Sequence, residues 1–227
     1  MGEVLITRKS QRGVPPDGFT YPTQILTENG IWKCPRSGTY YISCIGCGGL
    51  AAIALNPTGD AGCFFAGGGA GGIAESSLKL QKGKQIPITV DSAISSFGSI
   101  LSALSGQGGS IENTYKIIST AGIGGNAVGG VKNYSGGNGV AIKNGWGIIG
   151  GTTNKTAKFG GVTGDKVIAY HESIDGVAFV LVTLNNNNIL KYGGGQGYCS
   201  YIDQPSMFRT PKVTTEPNGA VIIEYIK

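Results

Sequence analysis

The chain has 227 residues and a formal net charge of +5, with 41 glycines and only 14% charged residues. Its lysines and arginines are scattered along the sequence, so we expect no nucleic-acid partner, because such binding needs basic residues clustered on one face. The sequence contains no run of about 18 apolar residues, and we therefore expect no membrane insertion.

The glycines form five clusters, which are Gly46–Gly49, Gly67–Gly72, Gly106–Gly109, Gly122–Gly151 and Gly193–Gly197. Glycine loses more backbone freedom on folding than any other residue, so such clusters indicate disorder, close backbone approach or positive φ. Apolar runs such as Val177–Leu184 recur between the clusters, whereas a disordered segment has few β-branched and aromatic residues. We therefore interpret the clusters as ordered.

The segments between the clusters are typical of short β-strands. Asn29-Gly30 between Ile25–Thr27 and Ile31–Lys33 predicts a hairpin. Thr39–Ile45 places Tyr40, Ile42 and Cys44 on one face, as expected of a half-buried strand. The remaining predicted elements are a second hairpin with arms Ala74–Leu80 and Ile86–Val90 joined by Gln81–Lys84, a short strand covering Ser95–Gly98 and Ile100–Leu104, and a final strand, Ala220–Ile226.

The central glycines show a partial period of three. Multiples of three separate Gly124, Gly130, Gly136, Gly139, Gly145 and Gly151. A left-handed helix of the polyproline type has three residues per turn and no internal hydrogen bonds, so glycine at every third position allows such helices to pack backbone to backbone. The period predicts packed polyglycine II-type helices, although chance alignment in a glycine-rich segment remains the alternative.

These elements predict an all-β fold with an antiparallel β-sandwich base built from both chain ends and carrying glycine-rich insertions. We expect residues 1–23 to form an N-terminal attachment segment. Residues 24–105 and 218–227 form the predicted sandwich framework, and residues 106–217 the predicted distal region. That distal region includes a small β insert, 163–192, with predicted strands Lys166–Tyr170, Gly176–Leu184 and Ile189–Tyr192.

Motifs for catalysis or metal binding are weak. The cysteines are odd in number, namely Cys34, Cys44, Cys47, Cys63 and Cys199. Cys44-x-x-Cys47 lacks the second ligand pair of a zinc site and runs into glycine rather than a helix, so we interpret both as small apolar residues of strands. Glycine patterns at Gly46 and Gly145 imitate a dinucleotide-binding turn without the helix that it requires. With His171 as the only histidine, we expect no enzyme, no metal and no cofactor.

Several segments in order resemble one family. They are Trp32–Pro35, Ser37–Tyr41, Ile45–Gly49, Gly67–Gly72, Leu78–Val90, Ser96–Gly98 and Gly219–Tyr225. The series resembles the glycine-rich tail-tip and tail-fibre proteins of bacteriophages and related phage-tail-like particles. The resemblance implies a virion tail protein that binds a bacterial surface receptor, either a glycan or a surface protein, and that contacts other tail-fibre or baseplate subunits. It also implies a homotrimer, or in some adhesins a monomeric cap.

No signal peptide is evident, because polar Thr7–Arg12 and Pro15-Pro16 occupy the place of an apolar core, so we expect synthesis in a bacterial cytoplasm. Receptor contacts on such a tip should be aromatic and amide side chains. The candidates are Tyr134, Trp146, Phe159, Tyr198, Tyr201, Asn185, Asn186, Asn187 and Asn188. Each could equally be a packing aromatic or a turn residue. The alternative function is a structural tail or baseplate protein without its own receptor.

Overall fold

The computed structural model describes residues 21–55, 63–113, 117–143, 147–149, 151, 156–159, 166–171, 178–183, 192–193 and 218–227. Within them the chain forms antiparallel strands and turns and no helix, which confirms the predicted all-β class. In particular, this part of the chain offers no helix of the length and apolarity needed to cross a membrane.

In chain order the strands are β1 (Gln24–Leu26), β2 (Gly30–Lys33), β3 (Gly38–Ile45), β4 (Ala52–Leu55), β5 (Cys63–Ala66), β6 (Ile73–Leu80), β7 (Gln85–Val90), β8 (Ile94–Phe97), β9 (Leu101–Leu104), β10 (Ser110–Asn113), β11 (Ile117–Thr120), β12 (Ala127–Val128), β13 (Lys132–Tyr134), β14 (Ala141–Lys143), β15 (Gly147–Ile149), β16 (Lys166–His171), β17 (Ala178–Thr183) and β18 (Ala220–Tyr225).

Two five-stranded sheets pack face to face as the base of the molecule. The first sheet has the order β1-β18-β3-β6-β13 and the second has the order β12-β9-β8-β7-β2. Tyr40, Ile42 and Cys44 of β3 point into the main core between them, where Trp32 and Phe97 of the second sheet are also buried. The alternation predicted for β3 is therefore confirmed. The strands at both edges of each sheet are short, which limits pairing with another chain.

The two predicted hairpins in the base are wrong. β1 pairs with β18 and β2 with β7, so residues 27–29 cross from one sheet to the other. β6 pairs with β3 and β13, whereas β7 pairs with β2 and β8, so the turn after β6 is also a crossing. The local sequence predicts correctly that the chain turns between the two arms. It does not predict which sheet each arm joins, because the apolar face of an arm is buried equally well in either sheet. The predicted single strand around Phe97 is two strands, β8 and β9, which pair across Gly98.

Beyond the two sheets lies a layer of extended segments, here called the glycine layer. It consists of residues 46–50, 67–72, 105–109, 121–125 and 136–140 together with Gly151 and Gly193. The first two segments continue β3 into β4 and return from β5 to β6. Residues 105–109 continue β9 into β10, and residues 121–125 return from β11 to β12. The fifth segment leads from β13 to β14. Long hairpins thus leave the base, cross the layer and return.

Backbone hydrogen bonds between segments hold the layer together, and they recur every third residue. Residues 67–72 form its centre. Gly69 and Gly72 donate to Gln107 and Leu104, across 2.9 and 3.0 Å. On another side of the same segment, Gly67 and Ala70 donate to Val140 and Gly137 across 3.0 and 2.8 Å, and on a third Gly71 donates to Gly193 across 2.8 Å. Successive residues therefore bond to different neighbours, which is the spacing expected of segments with three residues per turn.

Close approach of these backbones is the reason for the glycines. A Cβ added at Gly49, Gly68 or Gly71 would lie closer than 3.0 Å to backbone atoms of a neighbouring segment. Positive φ is confined, among the described glycines, to Gly83, Gly98, Gly129 and Gly193. Most glycines of the layer are thus required by packing distance and not by an unusual φ.

The predicted domain boundaries stay a prediction, and the sheets combine strands from both sides of them. β12 and β13, from the range 106–217, pair within the base. β4 and β5, from the range 24–105, belong to a separate three-stranded sheet with β14. Of the predicted β insert, β16 and β17 are described and pair with each other. The third predicted strand, Ile189–Tyr192, lies mainly outside the described residues, as does almost all of the segment 1–23.

Candidate functional site

On the far side of the glycine layer the hairpins end in strands that we call the distal tip. It comprises the three-stranded sheet β14-β5-β4, the hairpin β10-β11 and the three-stranded sheet β15-β16-β17. β11 contacts β5 and β14, and β10 contacts β4. These contacts gather the tip strands into one group, although they come from distant parts of the chain.

Four connections leave from the outer ends of these strands. Ala52 pairs with Ala66 beside the glycine layer, whereas Leu55 pairs with Cys63 at the outer end, where residues 56–62 connect the two strands. Asn113 pairs with Ile117 at the end where residues 114–116 join β10 to β11. Residues 144–146 join β14 to β15, which contact each other. His171 pairs with Ala178 at the end where residues 172–177 join β16 to β17. Four connections thus start from the same end of the molecule.

Most of the predicted receptor-binding residues lie outside the described residues. These are Trp146, Tyr198, Tyr201 and Asn185, Asn186, Asn187 and Asn188. In the sequence, Trp146 belongs to the connection between β14 and β15. The position of all seven residues stays a prediction.

Tyr134 and Phe159 lie on the base. Both are partly buried and pack against a second apolar cluster on the outer face of the first sheet. That cluster contains Ile25, Ile45, Ile73, Ala157, Ala220 and Ile222. The two aromatic rings therefore help to cover this face, and their surroundings are those of packing residues.

A buried carboxylate anchors residues 156–159 to the same face. Glu75 on β6 is 2% exposed, and its Oε1 accepts a 2.8 Å hydrogen bond from the backbone N–H of Lys158. Burial, followed by a hydrogen bond to Glu75, raises the pKa of the Tyr41 hydroxyl, which stays protonated as a donor. The Lys158 ammonium group pairs with Glu224 and lies 4.6 Å from the centre of the Tyr41 ring.

Exposed apolar side chains in the glycine layer and the tip were missed by the sequence prediction. Leu50 is 59% exposed, Ile118 48%, Ile123 56% and Val140 40%. The sequence does contain a pattern that could have predicted the exposure of three of them, because Leu50, Ile123 and Val140 each follow a glycine of the layer. A large side chain there has no space between closely packed backbones and must point outward. Together they offer apolar contact surface.

A cavity of about 550 Å³ opens where the base meets the glycine layer. Glycine backbone forms much of its lining, with Cys47, Asp91, Leu50 and Asn218. Its main polar groups are already bonded. The Asp91 Oδ1 accepts from the N–H groups of Ala93 and Ile94, and the Cys47 thiol donates to the Asp91 carbonyl across 3.0 Å. These bonds stabilise the turn after β7.

In the pair Cys44-x-x-Cys47, Cys44 is buried in the main core and Cys47 is half-buried, and neither forms a disulfide. Burial raises the pKa of the Cys44 thiol to about 12. In the described part of the chain no group of three or more His, Cys, Asp or Glu residues could hold a metal ion.

Comparison with models of known protein families and with curated proteins gave no match. The function of the chain is therefore inferred from its own residues and geometry.

Proposed function

We propose that the protein is a receptor-binding component of a phage tail or phage-tail-like particle, which attaches the particle to a bacterial surface through the distal tip. One observation supports this most directly. Four connections, 56–62, 114–116, 144–146 and 172–177, start from the outer ends of strands that the glycine layer separates from the base. Binding residues are often found in the segments that connect the strands or helices of a rigid scaffold.

The glycine layer supports the proposal physically. Five extended residues span roughly 15 Å at the rise of about 3.1 Å of a polyglycine II helix and slightly more at the rise of a β-strand, so the tip stands well clear of the base in either case. Hydrogen bonds along the layer, such as those of Gly69 and Ala70, hold the hairpins in fixed positions. A preorganised tip loses less conformational entropy on binding, which favours affinity. Trp146, together with the exposed Ile118, provides the aromatic and apolar contacts that a glycan or a surface protein needs.

Binding of the purified, fluorescently labelled chain to whole cells of a panel of bacterial strains tests the proposal. We expect binding to a subset of strains, with loss of about tenfold in affinity for Trp146→Ala, since a central aromatic contact contributes about 1.4 kcal/mol or more. Ile31→Ala is the matched control, because Ile31 is 70% exposed on β2 in the base. Binding to no strain, or equal loss in both variants, would count against a receptor-binding tip.

The alternative, a structural tail or baseplate protein, predicts a different result in a competition assay. An excess of free protein blocks adsorption of the particle only if the protein binds the receptor itself. The same preparation gives the native mass. A mass three times that of one chain supports the homotrimer implied by the resemblance, and the mass of one chain supports a monomeric cap.

A further inference from the structure

Basic side chains that are scattered in the sequence converge at the end of the base opposite the glycine layer. We call this the basic end and define it by Lys33, Lys79, Lys82, Lys84 and Lys227. The turns after β2 and β6 meet there, because Cys34 N–H donates to the Lys84 carbonyl across 2.8 Å and Lys82 N–H donates to the Ser37 hydroxyl across 2.9 Å. Thr39, the cross-strand partner of Lys79, donates its N–H to the Lys227 carbonyl.

All five lysines are exposed, and within the described residues none of them forms an ion pair. The turns that bring them together, residues 34–37 and 81–84, contain no aspartate or glutamate. Neighbouring like charges destabilise a fold slightly, so a surface of this kind is typical of sites that bind an anionic partner.

The centre of the basic end is apolar. Pro35 is exposed and Ile226 is 43% exposed. The half-buried rings of Tyr21 and Tyr225 pack against each other, with centroids 5.0 Å apart and ring planes tilted by 52°. An apolar centre within a charged rim is the usual composition of a protein–protein interface. Arg36 lies over the two tyrosine rings, 6.0 and 5.8 Å from their centroids, so this guanidinium group is already in contact with aromatic faces.

We propose that the basic end is the docking surface for an acidic protein surface. That this partner is a neighbouring tail subunit rests on the proposed function. A second copy of this chain does not fit end to end, because two positive rims repel each other. Phosphate-rich partners fit less well, since nucleic-acid sites favour free arginine and free aromatic faces for stacking, whereas here Arg36, Tyr21 and Tyr225 are packed on one another.

The test uses the full chain and three probes, which are poly-L-glutamate, a short DNA duplex and vesicles that contain phosphatidylglycerol. We expect poly-L-glutamate to bind with an affinity that falls as salt rises, and Lys82→Gln/Lys84→Gln to weaken binding about fivefold, as expected for loss of rim charge pairs. Lys132→Gln, an exposed lysine on β13, is the control and should change the affinity less than about twofold.

The proposal is overturned if poly-L-glutamate does not bind, if Lys132→Gln weakens binding as much as the double variant, or if DNA or vesicles bind more tightly at about 150 mM salt, where screening is strong. Cell binding separates this from the proposed function. A chain that binds poly-L-glutamate through the basic end but binds no cells refutes the receptor role alone. A chain that binds cells but not poly-L-glutamate refutes only the acidic docking surface.

Discussion

The backbone N–H of Lys158 donates a 2.8 Å hydrogen bond to Glu75, although 83 residues separate the two in sequence. Glu75 lies on β6 in the base, and its carboxylate is 2% exposed. The Tyr41 hydroxyl is its second partner. Residues 156–159 are thus fixed to the outer face of the first sheet, because the buried Glu75 carboxylate accepts hydrogen bonds from two donors.

We expect Glu75→Ala to lower the free energy of unfolding by about 2–4 kcal/mol, because both donors lose a buried acceptor and a cavity forms. Glu75→Gln keeps a carbonyl oxygen and should cost about 1 kcal/mol. The control is Glu224→Ala, which removes a partly exposed ion pair with Lys158 and should cost less than about 1 kcal/mol. Urea unfolding measures all three, and equal losses for Glu75→Ala and Glu224→Ala would contradict the anchoring role.

Gly69→Ala tests the close packing of the glycine layer. A Cβ at Gly69 would lie closer than 3.0 Å to the backbone of Ile123 and Gly124, so the two segments would have to separate. We expect a loss of about 3 kcal/mol or more, or failure to fold. Gly30→Ala is the matched control, since a Cβ added at Gly30 would have no atom within 4 Å, and it should change stability by less than about 1 kcal/mol. Similar urea midpoints for the two variants would show that packing distance does not require glycine.

The strands of the base could largely be predicted from the sequence, whereas their pairing could not. The period of two in Tyr40, Ile42 and Cys44 reflects burial directly, so β3 was evident. The turn before β7 is also real, with Lys84 N–H donating to the Gln81 carbonyl across 3.1 Å and Gly83 at φ 84°. Yet it joins two sheets, because nothing local decides which strand covers an apolar arm.

The glycine clusters indicated close backbone approach, and the hydrogen bonds of the layer show where it occurs. Residue type alone could not predict whether the aromatic candidates are packing residues or exposed binding residues. Tyr134 and Phe159 resemble exposed binding residues in sequence, but the second apolar cluster that surrounds them is assembled from strands far apart in the chain. A packing aromatic and a binding aromatic differ only in what surrounds them, which a single segment does not reveal.

That the segments of the glycine layer are polyglycine II helices stays a prediction, and NMR tests it. We expect chemical shifts and couplings of Gly68, Gly69 and Gly71 to give φ near about −75° and ψ near about +145°. The amide of Gly69, which donates to Gln107, should exchange with solvent as slowly as the amides of β3. Dihedrals of a regular β-strand, with φ near about −140°, would contradict the helical interpretation.

Stability should fall at alkaline pH. Burial raises the pKa of the Cys44 thiol from 9.0 to about 12, and burial followed by a hydrogen bond to Glu75 raises that of Tyr41 above its ordinary 10.0. Above these ordinary values the unfolded chain has released protons that the folded chain still holds, so the free energy of unfolding decreases as the pH rises. We expect urea midpoints to be level near pH 8 and to fall from about pH 9 upward. Cys44→Ala should reduce the fall between about pH 9 and 10, and an unchanged slope in that variant would exclude the buried thiol as a cause.

Tyr134→Ala and Phe159→Ala should affect stability more than cell binding. Both rings pack on the second apolar cluster, and Phe159 also lies 6.4 Å from the Tyr41 ring, centre to centre. Because both rings are only partly buried, we expect each truncation to cost about 1–3 kcal/mol, less than removal of a fully buried aromatic side chain. Cell binding by the folded fraction should change less than about twofold, in contrast to Trp146→Ala. A loss of binding without a loss of stability in either variant would instead extend the receptor-binding surface from the tip to the outer face of the base.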